Sequence, residues 1–356
     1  MESTTNILEL LDQIPQPVFL VKDAVITHVN HAAQMRQLRV NTPVAELISI
    51  GSQEYNELTD GKLLLTLTVD NVMYNASVSK SQGYDIFCME SEFQEPELRA
   101  LALAAQNLRE PLSNAMMGMD NLLPKAASEG SSELLEQVWQ LNKTLYQMHR
   151  VIGNMSDAAL YRSGCTAKME TRDATALISE MVEKVAHLVS EAGYKIAYYP
   201  LTQSVFCQLD VEKLERGLLN MISNAIRHTP TDREIHISLR LGVKKLYLSV
   251  QNGGIHQDNI PSDLFARYLR EPGLDHAQGG VGLGLTIVRG AAAAHNGTVL
   301  IDQPDGQGLR FTMSVSLEQS GKVTLRSPIQ LPIDYGGGYD RALIELADIL
   351  PNHLFE

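Results

Sequence analysis

Two runs of apolar residues at alternating spacings of three and four govern the middle of this chain. The first is Leu98, Leu101, Ala105, Leu108, Leu112, Ala115, Met119 and Leu122. After Pro124 and a Ser/Gly-rich stretch at 128–132 comes the second: Leu134, Val138, Leu141, Leu145, Met148, Ile152, Met155 and Ala159. A repeat averaging about 3.5 residues makes an apolar seam that closes against a partner with left-handed supercoil. Two such helices with a short link make an antiparallel hairpin, expected over residues 96–162. One hairpin leaves much of its stripe in water, so pairing with a second copy into a dimeric four-helix bundle is expected.

The rest of the chain is built differently. At 356 residues it exceeds one ordinary domain. A formal net charge of -13 argues against a nucleic-acid partner, which needs a concentrated basic face. Cys88, Cys165 and Cys207 are far apart and lack metal-ligand spacing, which suggests buried free thiols in a reducing compartment. No signal-peptide pattern or bilayer-length apolar run is visible, so no transmembrane segment and a cytoplasmic location are expected.

Residues 1–92 mix a short helix (Asn6–Leu11) with strand-like runs at Val18–Val21, Val25–Val29, Lys62–Thr68, Val72–Val78 and Tyr84–Met89. Asn30 follows the second strand and opens a helix. This layout resembles a PAS sensor domain, a small antiparallel sheet with helices on one face; a plain α+β interaction domain is the alternative. Residues 170–318 read as an α/β layer. A helix carries Leu177, Met181, Val185 and Leu188, and strands follow at Lys195–Tyr199 and Val205–Leu209. Asp210 can cap a helix whose inner stripe is Leu214, Leu218, Ile222 and Ala225. Strands at Ile235–Leu241 and Leu246–Val250 come next, then a hairpin of Thr298–Asp302 and Leu309–Leu317 around Asp305–Gly308. The extension 322–356 has a Gly336–Gly338 joint and an amphipathic helix, Arg341–Leu350, capped by Asp340 and stopped by Pro351. It can dock on this chain or on another protein.

Two segments carry chemistry. Asn220 and Asn224 are four apart and share a helix face, where amide oxygens can reach Mg²⁺ directly or through water. Arg227 and His228 follow and can meet phosphate. The second segment, Gly279–Val288, places Gly280, Gly282, Leu283 and Gly284 where backbone N–H groups can approach phosphate at a helix start. Either alone is a weak signal. Together, in order and spacing, they resemble the ATP-binding domain of histidine kinases and its Bergerat-fold relatives. Asn220 and Asn224 match the N box, Asn252-Gly253-Gly254 a degenerate G1 box, Leu264–Arg270 the F box and Gly280–Gly284 the G2 box. His295-Asn296-Gly297 also fits. The resemblance covers residues 98–318. It implies ATP and Mg²⁺ as cofactors, with Asn220 and Asn224 on the metal. It likewise implies that Arg227, His228, Asn252, Gly254, Phe265, Arg270, Gly280, Gly282, Leu283 and Gly284 line the nucleotide site. Phe265 is equally well read as a packing residue.

The chain departs from that family in two places. Asn252 stands where an aspartate accepts the adenine amino group, and His256 replaces the box's second glycine, so weaker adenine binding is expected. The phosphoacceptor frame, His-Glu-Leu-Arg-Thr-Pro-Leu in the family, reads Gln106-Asn107-Leu108-Arg109-Glu110-Pro111-Leu112. Gln106 follows Ala105 in the heptad and should face solvent. A carboxamide nitrogen is conjugated with its carbonyl and is not nucleophilic, whereas neutral imidazole has a free lone pair. Asn107 cannot act as a base, and Glu110 stands where the family orients a phosphatase water. His149, beside Met148, reads as a surface histidine.

The resemblance therefore implies a multidomain α+β protein: a PAS-like sensor, a helical hairpin and a two-layer α/β sandwich. Its function would be ATP-binding intracellular two-component signalling by a pseudokinase, with a response regulator or a partner kinase among its partners. Two alternatives stay open: an active kinase that phosphorylates a partner in trans, and a scaffold that binds no nucleotide.

Overall fold

The computed structural model describes residues 11–81, 83–89, 95–128, 131–162, 167–227, 229, 234–252, 283–304, 308–317 and 338–356. Almost all of helix Asn6–Leu11, the Asp305–Gly308 turn, Gly336 and Gly337 lie outside them, as do Cys165 and the side chains of Leu98, Leu101 and Ala159.

The N-terminal unit is an antiparallel sheet of β1 (Val18–Lys22), β2 (Val25–Val29), β4 (Lys62–Val69), β5 (Val72–Ser81) and β6 (Tyr84–Met89) in the order β2-β1-β6-β5-β4. A short β3 (Ile48–Ile50) pairs with β4. Helix α1 (His31–Met35) begins where Asn30 predicts it, because the Asn30 Oδ1 accepts the backbone N–H of Ala33 at 2.9 Å. The same oxygen accepts from Val18 N at 2.9 Å, and Nδ2 donates to the carbonyls of Leu11, Ile14 and Gln16. One buried amide thus ties the chain entry, β1 and α1 together. The sequence does not announce β3 or α2 (Ser52–Glu57). Both are too short for a period to emerge.

Helices α3 (Glu95–Ser128) and α4 (Ser132–Arg162) form the expected hairpin. Helix α3 runs through Pro111 and also through Pro124, where the sequence suggests a stop. The seam is narrower than the heptad count predicts. Ala105, Leu112, Met116 and Met119 are buried with Val138, Tyr146 and Ile152, while Leu108, Leu122, Leu141 and Met148 stay exposed. Two helices cover only one stripe between them, and the other apolar stripe is left outside.

The C-terminal layer continues with β7 (Glu170–Asp173), α5 (Ala174–Glu191), β8 (Lys195–Tyr199), β9 (Phe206–Leu209) and α6 (Val211–Arg227). It is completed by β10 (Glu234–Leu241), β11 (Lys245–Asn252), α7 (Gly284–Ala294), β12 (Val299–Asp302) and β13 (Arg310–Ser316). Helix α5 turns a slightly different face inward than predicted: Ile178, Val182, Val185 and Val189 are buried, while Leu177, Met181 and Leu188 are half-buried. Cys207 is buried, and burial pushes its thiol up to about 11, whereas Cys88 is only half-buried.

One pairing could not be deduced from the sequence. Strand β12 pairs antiparallel with β4, Val299 opposite Leu64 and Ile301 opposite Lys62, so a single sheet runs β2-β1-β6-β5-β4-β12-β13-β11-β10-β8 through both units. Leu63, Leu65 and Leu67 face the N-terminal core, while Leu64 joins the C-terminal one. Around the junction the Glu54 carboxylate of α2 accepts from Lys245 Nζ at 2.5 Å and from Ser314 Oγ at 2.7 Å. Burial pushes this carboxyl up, but those hydrogen bonds and the lysine charge outweigh it and leave it below its usual range. The buried Arg289 of α7 donates to the carbonyls of Leu65 and Ala76, both at 3.0 Å. Gly51 sits at φ 106°, and a Cβ there would lie 2.6 Å from the Thr298 methyl, so the close approach needs a glycine.

The expected helix Arg341–Leu350 is shorter: α8 covers Arg341–Leu346, capped by the Asp340 side chain, which accepts from Ala342 N, and a 3₁₀ turn at Asn352–Phe355 follows Pro351. It docks on this chain, against α4 and α6. Ile344, Leu346, Leu350 and Phe355 are buried there, Asn142 Nδ2 donates to the Phe355 carbonyl at 2.9 Å and Lys143 Nζ to that of Leu350.

Candidate nucleotide site

Helix α6 carries the first motif, and its start is over-determined. Asp210 caps it, with Oδ1 accepting Lys213 N–H at 3.1 Å and Oδ2 accepting Lys168 N–H at 2.9 Å. The backbone N–H of Asp210 in turn donates to His295 Nε2 at 3.0 Å, while His295 Nδ1 lies 2.7 Å from the Ala291 carbonyl. An imidazole that accepts at Nε2 and donates at Nδ1 is neutral, and burial holds its pKa below the usual histidine value. His295 thus fastens the end of α7 to the beginning of α6.

Helix α6 has little free surface. Leu214, Leu218, Ile222 and Ala225 are buried as the stripe predicts, but so are Arg216, Asn220 and Ser223. Asn220 is wholly enclosed. Its Nδ2 donates to the Arg216 carbonyl at 3.0 Å and to Glu345 Oε2 at 3.3 Å, and its Oδ1 has no hydrogen-bond partner among the described residues. Asn224 lies one turn on and is half-buried. Both amides converge on Gly284, the first residue of α7: a Cβ at that position would lie 3.2 Å from Asn220 Oδ1 and 3.7 Å from the Asn224 amide atoms. Leu283, the residue before the helix, is buried. The fold therefore gathers Asn220, Asn224, Leu283 and Gly284 from two distant motifs into one corner, where an amide oxygen without a hydrogen-bond partner among the described residues lies beside the start of α7. An oxygen-seeking divalent cation such as Mg²⁺ suits that donor set.

Other candidates are placed differently. Arg227 is half-buried and pairs with Asp348. Asn252 is buried on β11, and its Oδ1 accepts Leu309 N–H at 2.5 Å. His228, Gly254, His256, Phe265, Arg270, Gly280 and Gly282 lie outside the described residues.

Sequence reasoning overlooked a charged cluster beside Asn220. Arg150 of α4 donates to Glu345 at 3.2 Å, Asp348 at 2.6 Å and Ser223 Oγ at 3.1 Å. Arg216 donates to Glu345 at 3.3 Å and Asn154 at 2.9 Å, and pairs with Asp157. Glu345 is 1% exposed. The available signal was an acid on the apolar face of a short helix and an arginine inside an otherwise apolar turn.

The segment that resembles the phosphoacceptor frame is the reverse. Gln106, Asn107 and Glu110 are all exposed on α3, as the heptad predicts for Gln106, and Arg109 donates to Ser156 Oγ at 2.9 Å. His149 is half-buried rather than on the surface, and burial, with the nearby Arg109 charge, lowers its pKa.

Residues 209–319 match the family model of histidine kinase-, DNA gyrase B- and HSP90-like ATPases. The sensor histidine kinase MtrB of Mycobacterium leprae is 25% identical over 243 residues, covering 67% of this chain and 43% of that protein. CusS of Escherichia coli is 27% identical over 246 residues, covering 65% and 46%. Among solved structures, ShkA in complex with AMPPNP aligns at TM-score 0.48 and 24% identity over 64% of this chain and 47% of the other. Histidine kinase ThkA in complex with the response regulator TrrA aligns at 0.42 and 14%, over 87% and 98%. The segment is a histidine kinase-like ATPase domain, and the chain is homologous to sensor histidine kinases. It spans less than half the length of these curated relatives. No helix among the described residues is long and apolar enough to cross a membrane.

Proposed function

We propose that this protein is an ATP-binding member of two-component signalling that has given up its own phosphoacceptor and acts through conformation and pairing. The observation that carries the nucleotide reading is the wholly buried Oδ1 of Asn220, which has no hydrogen-bond partner among the described residues and lies with Asn224 beside the start of α7. Asn220 and Asn224 would hold Mg²⁺, which neutralises triphosphate charge and fixes its orientation. The N–H groups at Gly284 would face phosphate, joined by Gly280, Gly282 and Leu283. Arg227 and His228 would add positive charge, Asn252 and Gly254 would meet adenine, and Phe265 and Arg270 would flank the pocket. Asp348 must yield Arg227 before it can reach a phosphate.

On the bundle, Gln106 offers no nucleophile. The exposed apolar residues Leu108, Leu122, Leu141 and Met148 support burial against a second copy as a four-helix bundle. The strand order β2-β1-β6-β5-β4 and the cap at Asn30 support a PAS-like sensor in residues 1–92. A response regulator or partner kinase is the expected recipient of the signal.

The test is thermal unfolding with and without Mg-ATP, since a ligand of the folded state raises stability by mass action. Asn224→Ala should abolish the magnesium-dependent part of the shift. A shift unchanged in that variant sinks the site assignment.

A further inference from the structure

The geometry points to Glu345, in the C-terminal extension, as the positioning residue that aims the Asn220 amide oxygen at the metal. The inference rests on the nucleotide reading above and deepens it.

A carboxamide is nearly symmetric in shape but opposite in chemistry at its two ends, so something must decide which end faces the ligand. At Asn220 the decision is made by two acceptors. The Arg216 carbonyl takes one bond from Nδ2 at 3.0 Å, and Glu345 Oε2 takes another at 3.3 Å. Turning the amide over would press its oxygen against a carbonyl and a carboxylate inside a wholly enclosed site, where unpaired polar contacts are most costly. The oxygen is therefore directed to the other side, toward the position a Gly284 Cβ would occupy, where it has no hydrogen-bond partner among the described residues. The Arg216 carbonyl alone is a local contact that any residue of α6 supplies. Glu345 is the element that comes from elsewhere.

Glu345 is itself held firmly. Arg150 donates to its Oε2 at 3.2 Å and Arg216 to its Oε1 at 3.3 Å. These two guanidinium groups fix the carboxylate and offset its charge, so it can sit near a triphosphate site without repelling the ligand strongly. The arrangement matches the general design of metal sites, in which an outer group orients the ligand that touches the ion. Its consequence is that the last helix of the chain, outside the segment matched by the ATPase family, completes the site.

A merely structural Glu345, present only to neutralise two arginines, makes a different prediction. The measurement is the magnesium increment: affinity of the full chain for an unhydrolysable ATP analogue with Mg²⁺, divided by that with chelator. Glu345→Ala is expected to lower this ratio at least tenfold while leaving chelator-phase binding within threefold. Glu345→Gln keeps an acceptor oxygen for Nδ2 and should hold the ratio within threefold of wild type. Lys143→Met, which removes the donor to the Leu350 carbonyl but does not touch Glu345, should also keep it. Should the alanine variant fail to fold, the pair Glu345→Met with Arg216→Met withdraws the acid together with one of its partners and takes its place. Retention of the wild-type ratio in the alanine or the paired variant, with the ratio lost in Asn220→Ala, overturns the inference. An equal loss in Glu345→Gln assigns the effect to charge and overturns it too. A wild type with no magnesium increment removes the nucleotide reading itself.

Discussion

Helix α6, which holds Asn220 and Asn224, and the turn of α3 around Gln106 are treated by the fold in opposite ways. On α6, Arg216, Asn220 and Ser223 are enclosed, and each is tied to residues from α4 or the C-terminal segment. On α3, Gln106, Asn107 and Glu110 face water. Replacing an exposed helix residue costs little stability, so the residue at position 106 can change without unfolding anything. Replacing a group inside α6 disturbs packing and chemistry together. Retention of the N box is therefore a weaker sign of selection for ATP binding than the motif alone suggests, and Asn220 is informative because one end of its amide is structurally used and the other is not.

The contrast can be broken most forcefully at Arg216. Arg216→Ala strips Glu345 and Asp157 of a buried partner and should cost about 3–5 kcal/mol in denaturant unfolding, the range for one-sided loss of a buried ion pair. A cost under about 1 kcal/mol would show that α6 is far less enclosed than described. A smaller but substantial effect is expected at the sheet junction, where Lys245→Met leaves Glu54 without its cation; about 2–3 kcal/mol is expected, with Ser314 still donating. The third test uses pH. His295 has its folded pKa lowered, so below the unfolded value of 6.5 the unfolded chain binds the proton more readily and stability falls with falling pH. One such group contributes at most about 1.4 kcal/mol per pH unit, and His295→Gln should flatten the slope between pH 5 and roughly 6.5. The smallest effect belongs to the exposed side. Gln106→His should change stability by less than about 0.5 kcal/mol and should not restore robust autophosphorylation, because Asn107 remains without basic character. Strong acid-labile labelling of that variant by ATP would show the rest of the machinery to be intact.

Local features were legible in the residues, and long-range ones were not. Asn30, Asp210 and Asp340 mark helix starts because a short polar side chain before an apolar stripe has a local reason to be there, and each one caps. The strands β1, β2, β6 and β8 lie where their patterns place them. The β4–β12 pairing gave one clue, the unbroken Leu63-Leu64-Leu65, which has no polar face to show to water. Its partner could not be deduced, since a strand edge carries no label for the edge it meets. Glu345 was hidden for a similar reason: an acid among Ile344, Leu346 and Leu350 looks like a surface residue until Arg150, 195 positions away, is brought beside it.

The shared sheet has a thermodynamic corollary. The pairing of β12 with β4, an arginine from α7 bound to the backbone of β4 and β5, and an enclosed lysine–glutamate pair make the two units one cooperative block. Heating should then melt the N-terminal sheet and the ATPase layer in a single transition, and amide protons of β4 should exchange as slowly as those of β13. Any small molecule that tightened the N-terminal core would raise the unfolding temperature of the nucleotide site with it, with no hinge required between them.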